Sequence, residues 1–241
     1  MPGEAQIVVS AHFDDAALSL AHLLQRAGSS ATVVTVCGGA PPPGRTVGEW
    51  DAEAGFRDGR EAARLRALED RRACAVTGAR RVRLRHRDAP YRERRLLARP
   101  LRAAVERLLD GGGVLWLPAA IGGHPDHLDV RDALLPLARG LPPARVRVYA
   151  DLPYAGESGY RLPAAVAAAL PGLRPADVRM RGGAWERKLA AVRCHASQIA
   201  PLQAHGAPGL LARDGVLARE RAWSASCDPL ADPRRAVILQ L

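Results

Sequence analysis

Residues 7–24 read IVVSAHFDDAALSLAHLL. The β-branched run Ile7, Val8 and Val9 predicts a buried strand, and the Ala- and Leu-rich segment from Ala16 to Ala27, closed by Gly28, predicts a helix. Between them stand His12, Phe13, Asp14 and Asp15. A strand that feeds at once into a helix is the first half of a βαβ unit. In an open α/β sheet the carboxyl ends of the strands are where ligands bind, so this polar break falls at a chemically privileged place.

The alternation continues outward. Strands are predicted at 31–36 (ATVVTV), 81–85 (RVRLR), 114–120 (VLWLPAA) and 144–151 (ARVRVYAD), and helices at 58–78, 94–109 and 128–137. Asp58 with Glu61 has the spacing of a capping box. The expected fold class is α/β: a Rossmann-like three-layer arrangement with a mostly parallel sheet. The whole chain, 1–241, is read as a single domain with its core in 5–160. In the less regular portion 161–241, helices are expected near 163–170 and 184–197, no clear pattern over 201–235, and a closing strand AVILQL at 236–241. Segment 38–57, rich in Gly and Pro, is too long for a plain connection and reads as an active-site lid carrying Trp50 and Phe56.

Composition excludes several classes. The formal charge of +10 invites nucleic acid, but Lys188 is the single lysine among 35 basic residues, which points to a coding bias toward arginine. Many arginines also alternate with acids, as in RDGREAARLRALEDRR at 57–72, the pattern of a solvated helix face. A nucleic-acid partner is therefore not expected, and an anionic small substrate fits better. No uncharged apolar run reaches the length of a membrane span, and MPGEAQIVVS lacks the order of a secretory signal, so a cytoplasmic protein is expected. Cys37, Cys74, Cys194 and Cys227 form no C-x-x-C and read as reduced thiols. The oligomeric state is left open.

A second loop repeats the logic of the first. GGHPDH, residues 122–127, follows the apolar strand at 114–120 and precedes a helix. In a parallel sheet both loops open on one edge, so His12, Asp14, Asp15, His124, Asp126 and His127 can converge. Imidazoles and carboxylates suit zinc or a similar divalent ion, and two His with one carboxylate would leave a coordination position free for water. Each loop alone has a plainer reading: Asp14 or Asp15 could cap the following helix, and the histidines could be satisfied by backbone. Two such loops at equivalent positions point to a site.

These residues resemble the LmbE-like, or PIG-L, family of zinc-dependent de-N-acetylases. AHFDD (11–15) matches the usual A/P-H-P-D-D and HPDH (124–127) matches H-x-D-H, and the likeness extends through 49–92, YADLPY (149–154) and KLAAVRCHASQ (188–198). The resemblance implies that His12, Asp15 and His127 bind one zinc ion per chain. Asp14 would be the general base, His124 would stabilise the oxyanion or protonate the leaving amine, and Asp126 would orient a histidine. Arg66 and Asp88 fall where the family often contacts substrate, against plainer readings as a helix-surface ion pair with Glu69 and a turn residue. Tyr154 and Asp151 would line the acceptor side. Phe13 departs from the family's proline and Ala16 from its frequent glutamate.

The activity so implied is removal of an N-acyl group, foremost N-acetyl, from a small amino-sugar-containing substrate such as a secondary-metabolite or glycoconjugate intermediate. Two alternatives stand beside it: an amidase of a thiol-sugar conjugate, and a non-catalytic Rossmann-like protein binding a nucleotide or sugar. The second lacks G-x-G-x-x-G after its first strand. Lys188 is expected either to point a compact ammonium into the site or to anchor its helix to the sheet edge, unless it is a chance survivor. His22, His86 and His205 read as structural or exposed.

Overall fold

Strand β1 (Gln6–Ser10) is buried on both faces, as a central parallel strand must be. Ile7 and Val9 join an apolar cluster with Leu101, Val105 and Leu134, whereas Val8 joins Leu20, Leu24 and Trp116 in a second. That two-residue alternation sends successive side chains to opposite faces, and each face carries its own helical layer. The computed structural model describes residues 4–225. The expected closing strand at 236–241 lies outside them.

Around β1 are placed β2 (Ala31–Thr35), β3 (Arg80–Arg83), β4 (Val114–Pro118) and β5 (Val146–Tyr149), all parallel. β6 (Arg174–Arg179) and β7 (Arg219–Ser224) complete the seven-stranded sheet, in the order β3-β2-β1-β4-β5-β7-β6, with β7 antiparallel to both neighbours. The helices are α1 (Asp15–Ala27), α2 (Glu49–Glu53), α3 (Gly59–Thr77), α4 (Ala98–Leu109), α5 (Pro125–Gly140), α6 (Tyr154–Glu157), α7 (Ala164–Ala169), α8 (Gly182–Arg193) and α9 (Ala196–Ala204). One layer packs α1, α3 and α8 together, and the other α4, α5 and α7. The expected three-layer α/β fold is the one observed. Strand order reverses between β1 and β4, the topological switch point where such sheets bind ligands.

Several boundaries shift for identifiable reasons. The helix expected from 94 begins at Ala98, because Pro100 has no N–H and its ring would clash with the carbonyl of Leu96 in a longer helix. The helix expected from 128 begins at Pro125, a residue whose fixed φ suits the first helical position. Asp126 and His127 therefore sit on helix α5 rather than in a loop. The single helix expected at 184–197 is two, broken at Cys194 and His195. Segment 38–57 is not one open loop, since it contains α2. Asp58 caps α3 as expected, accepting from Arg60 N–H at 2.9 Å. In the stretch read as patternless, β7 inserts between β5 and β6.

Lys188 explains part of that insertion. It is fully buried, and its Nζ donates to Glu220 Oε1 of β7 at 2.7 Å. Glu220 also accepts from the backbone N–H of His22 on α1, at 3.1 and 3.3 Å. The ammonium anchors α8 to the sheet, on the interior strand β7 rather than at the expected edge, and does not enter the cavity described below. Lys188→Ala should lower unfolding free energy by about 3–5 kcal/mol, since it strands a buried carboxylate. Lys188→Met with Glu220→Leu should recover most of it, measured by urea denaturation. A Lys188→Ala protein as stable as the parent would contradict this reading.

Candidate active site

The first loop is held by its own backbone. Asp15 opens α1 and turns Oδ2 back to accept the His12 N–H at 2.7 Å, while Ser10 Oγ accepts from the Ala16 N–H at 3.2 Å. Asp14, at the capping position, makes no side-chain capping bond, so the plain helix-cap reading fails for it. It is buried in the cavity wall instead, and burial together with the Asp15 charge raises its carboxyl above the ordinary range.

The second loop turns through Gly122, whose φ of +87° and close neighbour both exclude a side chain: a Cβ there would stand 2.7 Å from Tyr154 Cβ. His124 then caps α5, its Nδ1 accepting from the Asp126 N–H at 3.2 Å. The backbone-satisfied reading of this histidine is thus correct for one nitrogen. Burial and the neighbouring imidazoles push His124 down to about 4. A neutral ring that accepts at Nδ1 carries its proton on Nε2, so it is an available donor.

The two loops meet as the parallel sheet requires. His12 Nδ1 lies 3.3 Å from His127 Nε2; Asp15 sets Oδ1 3.3 Å from His127 Nε2 and Oδ2 3.8 Å from His12 Nδ1. Ligands about 2.0–2.1 Å from one tetrahedral zinc stand about 3.3–3.4 Å apart, so this spacing fits a single ion. His12, His124 and His127 also each bring one nitrogen within 4.8 Å of the others, a cluster compatible with a metal site. A second grouping, His12 with Cys37, Asp88 and Asp126, meets the same distance test. It is the weaker seat, because burial pushes the Cys37 thiol up and Asp126 is already engaged.

What aims the nitrogens is visible around them. A carboxylate only accepts, so His12 donates from Nε2 to Asp126 Oδ2 at 3.0 Å, and His127 from Nδ1 to Asp151 Oδ1 at 2.8 Å. Each bond leaves the opposite nitrogen with a lone pair directed at the other histidine. Asp126 is fixed in turn by the Ala89 N–H at 3.0 Å and by Arg92, and Asp151 by the Ile121 N–H at 3.1 Å. Burial opposes charge on His12, but Asp126, Asp15 and Asp88 outweigh it and raise its pKa to about 9. Burial likewise opposes charge on Asp15, yet His127 and His12 hold its carboxyl well below the usual range. The acid-rich cluster thus favours positive charge at its centre.

The cavity above this cluster is lined by His12, Asp14, His124, Arg66, Asp88 and Tyr154, among others. Arg66 is buried and pairs with Asp51 and, at 3.7 Å, with Asp88; it is not the surface partner of Glu69, which accepts from Ser197 instead. Burial raises Asp88 to about 6. Tyr154 places its ring 5.6 Å from His127 and 6.3 Å from His124. Asp151 does not line the cavity, contrary to expectation, but stands behind His127. His195 also lies away from it, buried among Ala16, Asp70 and Cys74.

The lid segment contributes one of its two aromatics. Trp50 lines the cavity and donates from Nε1 to Gln198 Oε1 at 2.8 Å; Phe56 is not in the wall. Gly48 N–H donates to Tyr91 Oη at 2.9 Å, and His205 pairs with Glu53 at 2.5 Å, so 48–53 is tethered. The adjoining stretch 43–46 is exposed and open to protease. Proteolysis there should slow severalfold when a substrate analogue is bound. Equal cleavage rates with and without it would count against closure.

A model of the family described as PIG-L, GlcNAc-PI de-N-acetylase, matches residues 7–138. The chain belongs to the PIG-L family. The search of curated proteins found no match. Among solved structures, the A40926 pseudoaglycone deacetylase Dbv21 is 30% identical, with a TM-score of 0.71 over 92% of this chain and 96% of that one. A deacetylase triple mutant from teicoplanin biosynthesis is 27% identical, with a TM-score of 0.74 over 91% and 97%. GalB, a 4-carboxy-2-hydroxymuconate hydratase of Pseudomonas putida KT2440, shares the fold at 19% identity and a TM-score of 0.57, over 83% of this chain and 82% of that one. The fold thus hosts more than one reaction, and the activity of this PIG-L member rests on its site. Among the described residues no helix is long and apolar enough to cross a membrane.

Proposed function

We propose that this PIG-L protein is a zinc-dependent hydrolase that removes an N-acetyl group from an amino-sugar-containing small molecule. The observation that carries the reading is the pair of 3.3 Å separations linking His12 Nδ1, His127 Nε2 and Asp15 Oδ1, each histidine aimed by a carboxylate from behind. The antibiotic deacetylases among its structural relatives support the choice of reaction, and the GlcNAc-PI de-N-acetylase description of its family supports an amino-sugar substrate.

His12, Asp15 and His127 would hold the ion. Zinc bound there supplies Lewis acidity toward the amide carbonyl and lowers the pKa of water. Asp14 accepts the proton of the attacking water, its burial making it a stronger base than a solvated carboxylate. As the water oxygen bonds to the carbonyl carbon, His124 donates from Nε2 to the developing oxyanion. The C–N bond then breaks, the amine leaves with the proton Asp14 had taken, and acetate is released. Arg66, Asp88, Tyr154 and Trp50 position the sugar along the cavity wall.

The test is acetate release from a panel of N-acetylated amino-sugar glycosides set beside N-acetyl-lysine peptides and acetate esters. Turnover of the glycosides above the other two classes is the expected result. Hydrolysis of esters or peptides alone would overturn the substrate class.

A further inference from the structure

The chain beyond β3 continues as an extended segment toward the cavity: Leu84 N–H donates to Thr35 O at 2.8 Å and Gly39 N–H to His86 O at 2.7 Å. The approach is so close that a Cβ on Gly39 would lie 2.4 Å from Arg85 O. Along this segment side chains alternate in exposure. Val82, Leu84, His86 and Asp88 turn inward, while Arg81, Arg83, Arg85 and Arg87 stand exposed on the other face. Same-face neighbours on an extended chain are about 6.6 Å apart at Cα, so these four arginines leave the backbone in a row. Three of them, Arg83, Arg85 and Arg87, line one groove of about 550 Å³ with Gly39 and Ala40.

The row is under-neutralised. Arg81 has Asp70 at 3.8 Å, and Arg83 donates from Nε to Gly38 O at 2.6 Å, but among the described residues Arg85 and Arg87 have no acidic partner. Arg83 is also held 5.6 Å over the Phe13 ring, which is itself part of the cavity wall. The far end of the row is Arg87, bonded through one peptide to Asp88 in that wall.

The geometry points to an anion-binding groove at Arg83, Arg85 and Arg87 that takes a phosphate or carboxylate carried by the substrate away from the scissile amide. This deepens the reading above and rests on it. A groove of that size accommodates a small-molecule group. Planar guanidinium forks bind carboxylate and phosphate oxygens bidentately, so a row of arginines fits such groups better than any uncharged aglycone. Burial and the flanking charges of Arg81 and Arg85 lower the pKa of Arg83.

The test uses the zinc-loaded protein and the double variant Arg85→Gln, Arg87→Gln, with unchanged melting temperature as the folding control. Binding of benzene-1,3-disulfonate, a dianion that does not chelate zinc, is measured by calorimetry. Turnover of uridine diphosphate N-acetylglucosamine is compared with that of neutral phenyl N-acetyl-β-glucosaminide. The wild type should bind the disulfonate, and binding should weaken about tenfold or more in the variant and with added salt. The ratio of kcat/KM, anionic over neutral, should fall by about tenfold as well, through KM. If neither glycoside is turned over while the disulfonate still binds through Arg85 and Arg87, the groove stands and the amino-sugar reading fails. If the glycosides are hydrolysed with a ratio the variant does not change, or the wild type does not bind the disulfonate, the groove is overturned.

Discussion

His127→Ala should abolish zinc binding at stoichiometric metal and with it all measurable amide hydrolysis. His127 is fully buried at the start of α5, and its Nε2 lies 3.3 Å from both His12 Nδ1 and Asp15 Oδ1. Removing it leaves two protein donors, too few for the three that catalytic zinc sites use. The substitution also deprives Asp151 of its imidazole partner, so some loss of stability accompanies the loss of metal. His12→Ala, at a residue partly open to the cavity, gives the same metal readout with less strain on the core. Metal content by elemental analysis, on samples whose circular dichroism matches the parent, checks both. Full occupancy in either variant would remove that histidine from the ligand set.

Asp14→Asn should behave differently: zinc retained, turnover reduced by about 100-fold or more, KM little changed. The carboxamide preserves shape and can still fill the cavity wall, but it cannot take a proton from water, and a general base contributes about 100- to 10,000-fold. Asp15→Asn is the companion experiment, because Asp15 is the carboxylate directed at both histidines. Metal loss in Asp15→Asn with retention in Asp14→Asn matches the roles assigned. Metal loss in Asp14→Asn would mean that the two neighbouring carboxylates had been assigned the wrong way round.

Burial made the central strands legible, while β3 at the exposed edge was readable from the β-branched and apolar alternation of RVRLR alone. β2 and β4 are buried throughout and β1 from Ile7 onward, so their apolar runs read directly as strands. β6 was invisible because it sits at the sheet edge: RPADVR carries a proline and alternates only between exposed and half-buried positions. β7 was hidden by Glu220, a buried charge that makes sense only once Lys188, thirty-two residues earlier, is seen beside it. Within the site, the His and Asp residues of the two motifs were legible because strand ends of a parallel sheet share an edge. Asp151 follows β5 on that same edge, which marks it as a candidate, yet its service to His127 is visible only in the fold. Arg92, which fixes Asp126, gave no signal at all in a chain crowded with arginines.

Amine release from an N-acetylated amino-sugar glycoside, followed on one preparation before chelation, after it, and after return of one equivalent of zinc, tests the central claim most directly. The account predicts activity, then none, then recovery with the single equivalent, and no recovery in the His127→Ala protein. Undiminished activity in fully metal-free protein would contradict it.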